Sequence, residues 1–576
     1  MSLASLNRRK VFQSFKQTHY DLVIIGGGIT GAGIALDAVS RGMKVALLEK
    51  KDFAFGASSR STKMIHGGLR YLQKFQLKTV AKSGKERAIT YENGPHVMTR
   101  EKMLLPIHKG GSLGRFTTSI GLKFYDYLAD VKDDERREML NSRETLARVP
   151  SLKTDGLRGA GEYVEYRADD ARMTLEIIKK AVELGADCLN YSNVTGFNRD
   201  HRGFVEAVII QDEPTNNTYI VEGSIILNAA GAWRFDLDEE KPQELSVMLI
   251  KGAHLVFDQK DFPLKDAIYF DTGEDKKMVF AIPRDGKTYV GVSSAVYEGN
   301  RETPTVSITD QHYLLAAIQE MFPALNVTAE MIESSWAGIS PVVKDKSNPK
   351  AKKPLIETSS NGMMNVTTGK LTGYRELAEA VVDEVTSRLK IEKGQEFSAS
   401  QTMHLPFSGG DVGGSTLFAS FVESAVAKGI AANLTEAEAR KLAIIYGSNV
   451  DQLFDIAAKA SPEAMQGLSL LLYVQLVYGL EHESVMTPCD LLIRRTSALY
   501  FDIELVKSQH VAVVKFMARY FSWTVEQVKQ YNSELEQALY YATHAVEDDR
   551  VIKLTQTSKE NQAHDSQVEK LQKSEK

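Results

Sequence analysis

The stretch YDLVIIGGGITGAGIALDAVSRGMKVALLE, residues Tyr20–Glu49, decides the fold of this chain. The apolar run at its start predicts a buried parallel strand, and apolar residues at helical spacing predict a helix from Thr30 to about Ser40. A second apolar run, Val45–Leu48, predicts another strand that leads into Glu49. Strand, helix and strand in this order form a βαβ unit, the framework of dinucleotide-binding sheets.

Three glycines in this unit have the G-x-G-x-x-G spacing that a dinucleotide requires. Gly26 permits a tight turn, Gly28 lets a pyrophosphate approach the backbone, and Gly31 lets helix and strand pack closely. The pyrophosphate would lie at the helix N-terminus, where free N–H groups point at it. The Glu49 carboxylate, roughly 20 residues on, can accept hydrogen bonds from ribose hydroxyls. The predicted contacts in this unit are Gly26, Gly28, Ile29, Thr30, Gly31, Glu49 and Lys50.

Composition narrows the class of protein. The 576 residues, 43% hydrophobic and 25% charged, are enough for about two to four globular domains. A net charge of −5 argues against broad nucleic-acid binding. Two widely separated cysteines, Cys188 and Cys489, fit a reducing cytosol and exclude a disulfide framework or cysteine-rich metal site, so no metal is predicted. The basic N-terminus lacks the apolar core of a signal peptide, and no apolar run is long enough to predict a membrane span.

Changes in composition and in the spacing of apolar residues along the chain predict four segments. Residues 1–19 form a polar N-terminal lead-in, and residues 20–399 form a dinucleotide-binding domain interleaved with a substrate domain. Residues 400–545 have helical spacing with few strand signals, which predicts a separate helical domain. Residues 546–576 are charged and nearly free of aromatics, which predicts a disordered tail.

Two patterns predict how the sheets of the second segment are built. The apolar run Tyr219–Leu227 leads into Asn228-Ala229-Ala230-Gly231, which is typical of a strand returning beside the βαβ unit, although an ordinary buried strand end fits the same residues. Asp285-Gly286 between two apolar runs is a strong hairpin signal. An antiparallel sheet among parallel elements predicts a second domain that covers the substrate.

Residues 56–71, GASSRSTKMIHGGLRY, together with the glycine unit resemble the flavin-dependent glycerol-3-phosphate dehydrogenases and oxidases. Other matching pieces, such as KGAHLV at Lys251 and GKLTGYR at Gly369, follow in order across about residues 20–545, closest to the Gram-positive-type enzymes. The resemblance implies an α/β fold: an FAD-binding two-dinucleotide, Rossmann-like domain of the glutathione-reductase/D-amino-acid-oxidase type, an antiparallel substrate-covering sheet and a C-terminal helical domain. It also implies FAD as cofactor and oxidation of sn-glycerol 3-phosphate to dihydroxyacetone phosphate.

The same stretch supplies the residue types that this reaction needs. Arg70 offers a planar fork of donors for a phosphate ester, and His66 has an ordinary pKa near neutrality, which suits a base for the substrate hydroxyl. Taken alone, His66 would more often be structural, but the resemblance assigns it to catalysis. The predicted catalytic residues are His66, Arg70, Tyr71 and Lys370, the last being similar to the family lysine near flavin and substrate.

Polar and small residues elsewhere are the predicted contacts for the rest of the cofactor. Lys63 adds a cation to the run that follows the second strand and, like its neighbours, could hold phosphate or the flavin edge. A helix N-terminus after Gly369 would stabilise negative charge on the reduced ring. The predicted FAD contacts outside the first unit are Ser58, Ser59, Ser61, Thr62, Gly231, Gly369, Leu371 and Thr372.

Four places depart from the family pattern. The arginine expected before Pro341 is Ser340, and the usual G-T-T-D, A-G-G-K and G-P-W are replaced by Gly291-Val292-Ser293-Ser294, Thr367-Thr368-Gly369-Lys370 and Gly231-Ala232-Trp233. A lost arginine removes a charge-assisted hydrogen bond of roughly 1.5–3 kcal/mol. We therefore expect an intact FAD site with weakened glycerol 3-phosphate turnover, unless Lys344 takes the arginine's place.

Several functions fit the sequence. The stretch Val342–Lys353 is short where streptococcal-type oxidases carry a long insertion, which favours a dehydrogenase that passes electrons to a membrane quinone. That hypothesis implies a cytoplasmic protein held peripherally at the inner face of the cell membrane. The alternatives are an oxygen-using oxidase, a paralogue with altered or weak turnover, and a non-catalytic flavoprotein that uses its helical domain for interactions. Whether the protein forms a homodimer stays open.

Overall fold

The computed structural model describes residues 3–65, 77–111, 137–237, 245–273, 275, 277–345, 355–368 and 371–547. All but the first two residues of the predicted disordered tail lie outside these ranges. The strands are, in chain order, β1 Tyr20–Ile25, β2 Val45–Leu48, β3 Met64–Ile65, β4 Met98–His108, β5 Glu138–Leu140, β6 Leu157–Ala168, β7 Asp187–Leu189, β8 Ser192–Arg199, β9 Val205–Asp212, β10 Thr218–Asn228, β11 Leu245–Asp258, β12 Ala267–Asp271, β13 Met278–Arg284, β14 Lys287–Val296, β15 Ile332–Asp345, β16 Leu355–Thr358 and β17 Met364–Thr367.

The helices flank the two sheets and form most of the chain beyond residue 414. The α-helices are Arg8–Gln17, Ile29–Ser40, Leu77–Asn93, Ser142–Arg148, Asp170–Glu183, Arg234–Leu237, Ile308–Met321, Tyr374–Lys393, Gly414–Ala431, Glu436–Tyr446, Val450–Ala458, Pro462–Met465, Leu470–His482, Ala498–Phe501, Ile503–Phe521 and Val525–Thr543, with a π-helical segment at Asp490–Arg495. Within the described ranges, no helix combines the length and the apolar character needed to cross a bilayer.

The first sheet has the βαβ unit at its centre. Its path among the described strands is β16-β17-β10-β1-β2-β7. Ile25 of β1 lies beside Leu48 of β2 and Asn228 of β10, and both pairings are parallel. The prediction of a strand that returns beside the unit is therefore confirmed. The carboxyl ends of β1, β2 and β10 meet at one edge, which is where ligands bind in sheets of this kind.

Two glycines in the turn after β1 leave no room for a side chain. Gly26 has φ +114°, and a Cβ there would lie 2.6 Å from the carbonyl oxygen of Ala229. A Cβ on Gly31 would lie 1.9 Å from the carbonyl oxygen of Gly26. The helix Ile29–Ser40 can therefore begin directly at the end of the strand only because both positions are glycine.

The second sheet is largely antiparallel and follows the order β15-β11-β14-β13-β12-β4-β6-β3 among the described strands. Its β13–β14 hairpin turns at Asp285 and Gly286, whose φ values are +52° and +76°. Positive φ at both central residues is the conformation that Asp-Gly favours, so the hairpin prediction is confirmed. At the other end of the sheet, β15 places Ser340 opposite Ile250 of β11.

A buried cluster of charges joins the helical part of the chain to the βαβ unit. The Asp52 carboxylate accepts hydrogen bonds from Arg494 Nε at 2.5 Å and from both terminal nitrogens of Arg495 at 2.8 Å. Burial alone would raise the pKa of Asp52, but the two guanidinium groups outweigh burial and hold that pKa below its ordinary value. The carboxylate is therefore ionised, and its charge offsets those of two buried arginines.

Replacing Asp52 by Asn should destabilise the protein by on the order of 3–5 kcal/mol, because two buried guanidinium groups lose their counter-charge. Urea unfolding of both proteins measures the difference. Because the pKa of Asp52 is lowered in the folded state, the difference should hold from about pH 5 to pH 8 and shrink as the pH falls towards that pKa.

The matched control is Asp451→Asn, which removes a carboxylate whose ion pair with Lys428 is 61% exposed on both sides. An exposed pair contributes little, so this variant should unfold like the wild type. Equal stability of the two variants would contradict the role assigned to Asp52.

Candidate functional site

A cleft of about 330 Å³ opens at the carboxyl ends of β1, β2 and β10. Gly26 and Gly28 form part of its wall beside the Ile29–Ser40 helix, and Glu49 lines it just after β2. Ser340 of β15 and Leu371, which follows β17, line the same cleft, so both sheets contribute to it. A long cleft bordered by backbone glycines at a helix N-terminus fits a dinucleotide with its pyrophosphate against the backbone.

Most of the cofactor contacts predicted from the sequence lie on the wall of this cleft. Those that line it are Gly26, Gly28, Ile29, Thr30, Glu49, Lys50, Ser58, Ser61, Gly231 and Leu371. Gly231 has φ +55° and begins the short helical turn that carries the chain from β10 past the cleft. The structure thus brings together residues that are up to 345 positions apart in the chain.

Hydrogen bonds fix the polar groups at the start of the Ile29–Ser40 helix. The Ile29 N–H donates to Ser58 Oγ at 2.9 Å, and the Glu49 carboxylate accepts from Gly27 N–H at 2.7 Å and from Lys51 N–H at 2.9 Å. Burial raises the pKa of Glu49, and these two backbone bonds lower it in part. Each carboxylate oxygen can accept a further hydrogen bond, so Glu49 is still able to bind a ribose hydroxyl.

Other predicted contacts lie behind the wall. Gly31 packs on Gly26, and the Ser59 side chain is buried, with 1% of the residue exposed. Thr62 Oγ1 lies 3.1 Å from His254 Nε2. Thr372 is buried and does not line the cleft. Lys63, predicted as a cation for phosphate or the flavin edge, instead donates to Asp170 Oδ1 at 2.6 Å in the interior. The polar run thus divides between cleft and interior, with Lys63 held by Asp170 and Thr62 by His254.

The four predicted catalytic residues lie outside the described residues. His66, Arg70 and Tyr71 follow β3 directly, and Lys370, with the predicted FAD contact Gly369, falls between Thr368 and Leu371. Both of those flanking residues line the cleft. The roles of His66, Arg70, Tyr71, Lys370 and Gly369 therefore stay predictions.

Sequence reasoning missed part of the cleft wall. Ser192, Asn193 and Val194 line it just beyond β7, the strand paired with β2. Strand β7 is only three residues long, which is too short for an alternation of apolar and polar residues to identify it in the sequence. The signal that could have found them is position, since a strand next to β2 in a parallel sheet ends at the same edge.

His254 is a second residue that the prediction did not assign. Its ring is buried on β11, stacks on Trp336 with centroids 4.6 Å apart, and contacts Thr62 through Nε2. Burial, and then the charge of Lys63, lower the pKa of His254 to about 3, so the imidazole is neutral at physiological pH. His254 lines neither large cavity of the described residues, and its contacts support the segment from Ser61 to Ile65.

The departures from the family pattern lie mostly at this cleft. Ser340, Thr368 and Ala232 all line it. Val292 does not, because it is buried in β14 opposite Ala253. The side chains that differ from the family pattern at three of the four places are therefore in position to alter what the cleft binds.

Replacing Gly28 by Val should release the flavin, because the new side chain would occupy the cleft where the pyrophosphate approaches the backbone. Its Cβ alone would lie 3.1 Å from Ser58 Oγ. The flavin absorbance that remains with the protein after gel filtration measures retention. Gly111→Ala, at an exposed glycine outside the cleft, is the control and should keep its flavin. Full FAD occupancy in Gly28→Val would refute this placement.

The chain is similar to known proteins over nearly its whole length. Residues 21–375 match the family of FAD dependent oxidoreductases, and residues 400–528 match the C-terminal domain of alpha-glycerophosphate oxidase. The aerobic glycerol-3-phosphate dehydrogenase of Staphylococcus haemolyticus is 48% identical over 561 residues, covering 96% of this chain and 100% of its own length. The enzyme of the same name from Bacillus subtilis is 49% identical over 550 residues, covering 94% and 99%.

A solved structure is similar over nearly the same span. It is the glycerol-3-phosphate dehydrogenase from Bacillus halodurans complexed with FAD, which has a TM-score of 0.83 and 41% sequence identity to this chain. The match covers 95% of this chain and 99% of that one.

Proposed function

Because this chain belongs to the aerobic glycerol-3-phosphate dehydrogenase family of FAD-dependent oxidoreductases, we propose that it oxidises sn-glycerol 3-phosphate to dihydroxyacetone phosphate. The observation that carries the proposal is the cleft, in which the βαβ unit and β15 of the second sheet meet. The glycine-lined part of that cleft suits a dinucleotide, and Thr368 and Leu371, which flank the predicted Lys370 in the sequence, also line it.

Family membership confirms three predictions made from the sequence. The family resemblance is correct, FAD is the cofactor, and the fold is of the predicted FAD-binding α/β type with an antiparallel sheet and a helical C-terminal part. The division of the chain into four segments and the roles of the individual site residues stay predictions.

The proposed reaction removes a hydride from C2 of the substrate and a proton from the hydroxyl on the same carbon. FAD, when bound, supplies the hydride acceptor. We assign the proton to His66, because an imidazole has its ordinary pKa near neutrality. We assign the phosphate to Arg70, because a guanidinium can hold two phosphate oxygens at once. Lys370 and Tyr71 complete the proposed polar surroundings of the substrate.

Two substitutions separate these roles. Arg70→Ala should raise the apparent substrate constant, because it removes a phosphate contact, whereas His66→Ala should mainly slow flavin reduction, because it removes the base. Stopped-flow reduction by glycerol 3-phosphate measures both, and both variants should retain FAD. Reduction at the wild-type rate in both variants would refute the assignment.

Turnover of glycerol 3-phosphate should be weak, because Ser340 cannot make the charge-assisted contact of the family arginine. Ser340 lines the cleft, so the side chain of an arginine at this position would be attached to the cleft wall. Ser340→Arg should raise affinity or rate by about 10- to 100-fold, the equivalent of one charged hydrogen bond. Steady-state assays with a dye acceptor compare the two proteins.

The control for this substitution is Ser424→Arg, which adds the same charge on the exposed face of the Gly414–Ala431 helix and should change nothing. The changes at Thr368 and Ala232 can limit the gain, since residues that share a site do not contribute additively. Strong wild-type turnover that Ser340→Arg does not improve would show that another group fills the arginine's role.

We propose a membrane quinone as the electron acceptor, supported by the short stretch Val342–Lys353 in place of the long insertion of the oxidases. A quinone lies in lipid, so the protein should bind membranes peripherally. Flotation with vesicles that contain anionic lipid and a quinone tests this: the protein should float, and added glycerol 3-phosphate should reduce the quinone. Protein that stays entirely in the soluble fraction and reduces oxygen but no quinone would contradict the proposal.

A further inference from the structure

A second cavity, of about 550 Å³, lies between the helical part of the chain and the dinucleotide-binding part. One wall is the Val525–Thr543 helix, and the opposite wall includes Phe55, Arg60 and Tyr191. It shares Lys51, Phe55 and Glu302 with the first cleft but extends away from the βαβ turn. The proposed oxidation uses none of its remaining residues.

Arg60 lines this cavity, and no carboxylate in the described part of the chain forms an ion pair with it. Its Nη1 donates to the backbone carbonyl of Glu302 at 3.2 Å, and the Tyr500 side chain lies close to its guanidinium. The Glu302 carboxylate pairs with Lys50 Nζ at 3.0 Å instead. Among the described residues, no carboxylate lies within 4.0 Å of the Arg60 guanidinium.

The other arginine at the cavity differs in this respect. Arg494 is paired with Asp52 at 2.5 Å and with Asp490 at 2.6 Å, so its charge is matched. The centroid of the Phe55 ring lies 5.0 Å from Arg60 Cζ and 5.6 Å from Arg494 Cζ. Burial lowers the pKa of Arg60, and the charge of Arg494 lowers it further, yet a guanidinium stays protonated. A partly buried, unmatched cation that faces a cavity is stabilised by an anion.

The rest of the lining suits an aromatic body. Rings of Phe55, Trp336, Tyr500, Tyr531 and Tyr541 line the cavity. Burial raises the pKa of Tyr531 to about 12, so its hydroxyl stays a hydrogen-bond donor. Packing against such rings stabilises an aromatic ligand beyond the effect of the area that it buries.

Carboxylates also lie at the cavity and orient a charged ligand. Glu534 accepts a hydrogen bond from Gln530 at 2.9 Å, and Glu213 is exposed at the rim. Neither is paired with Arg60. An anionic head is therefore favoured at the Arg60 end and disfavoured beside Glu534.

We propose that this cavity is a second binding site, which takes a small organic anion with an aromatic body and holds its carboxylate or phosphate at Arg60. Carboxylate and phosphate share the planar pair of acceptor oxygens that a guanidinium recognises. Apart from Lys51, Phe55 and Glu302, the residues that line this site differ from those that line the first cleft. A test of this site therefore does not depend on the proposed function.

Cys489 provides the readout, because it lines this cavity, and the chain's other cysteine, Cys188, is buried elsewhere. Burial raises the pKa of Cys489 to about 12, so its labelling by N-ethylmaleimide is slow and can be followed by peptide mass spectrometry. The FAD-loaded protein is labelled with 1-naphthyl phosphate, 1-naphthoate, 1-naphthylmethanol or inorganic phosphate present. The first two probes distinguish phosphate from carboxylate, and the last two lack either the charge or the aromatic body.

At least one naphthyl anion should slow Cys489 labelling about fivefold or more at millimolar concentration, and the neutral alcohol should not. Arg60→Gln should weaken the protecting anion about tenfold or more, the equivalent of a charge-assisted hydrogen bond. Protection in Arg60→Lys should be intermediate between that in the wild type and that in Arg60→Gln. Lys529→Gln removes an exposed cation outside the cavity lining, and its protection should match that in the wild type.

Four results would overturn the proposal, and the first three are no protection by either anion, equal protection by the neutral alcohol, and undiminished protection in Arg60→Gln. The first two use only the wild-type protein, so the proposal stays testable even if the substitutions impair folding. Protection by inorganic phosphate equal to that by the naphthyl anions would also contradict it, since the aromatic body would then contribute nothing.

Discussion

The architecture depends on a steric constraint at the end of β1, where the Ile29–Ser40 helix packs directly against the turn that it follows. A Cβ at Gly31 would lie 1.9 Å from the Gly26 carbonyl oxygen, and one at Gly26 would meet β10 at Ala229. With glycine at both positions, the helix N-terminus and the ends of three parallel strands share one small region. The cleft is the space that this close approach leaves, and Glu49 and Ser58 reach it because their backbone follows the next strand.

The second constraint is electrostatic, and it attaches the helical part of the chain to that region. Asp52, only three residues beyond Glu49, accepts hydrogen bonds from Arg494 and Arg495, which are more than 440 positions further along the chain. Ionic groups this deeply buried stabilise only when every charge is matched, so they specify how the two parts fit together. Arg60 is the exception beside this cluster, which is why the second cavity differs chemically from the rest of the contact.

Local patterns in the sequence predicted the elements well, because each depends on neighbouring residues. The βαβ unit, the strand that returns at Asn228 and the Asp285-Gly286 hairpin were all predicted, since turn chemistry and apolar period act over a few positions. It was harder to predict which side chains are buried and which residues they contact. Lys63 pairs with Asp170 and Thr62 contacts His254, because partners far away in sequence decide which face of a polar run is buried. Ser192–Val194 and the Arg60 cavity arise only from packing between distant segments, so no local pattern indicates them.

The central claim is that the cleft holds FAD where sn-glycerol 3-phosphate can be oxidised. Anaerobic titration of the purified yellow protein with sn-glycerol 3-phosphate tests it most directly. The absorbance of oxidised flavin should disappear, slowly if Ser340 weakens the site, and dihydroxyacetone phosphate should appear in equal amount. An oxidised spectrum that the substrate leaves unchanged, in protein whose flavin dithionite reduces at once, would contradict the account.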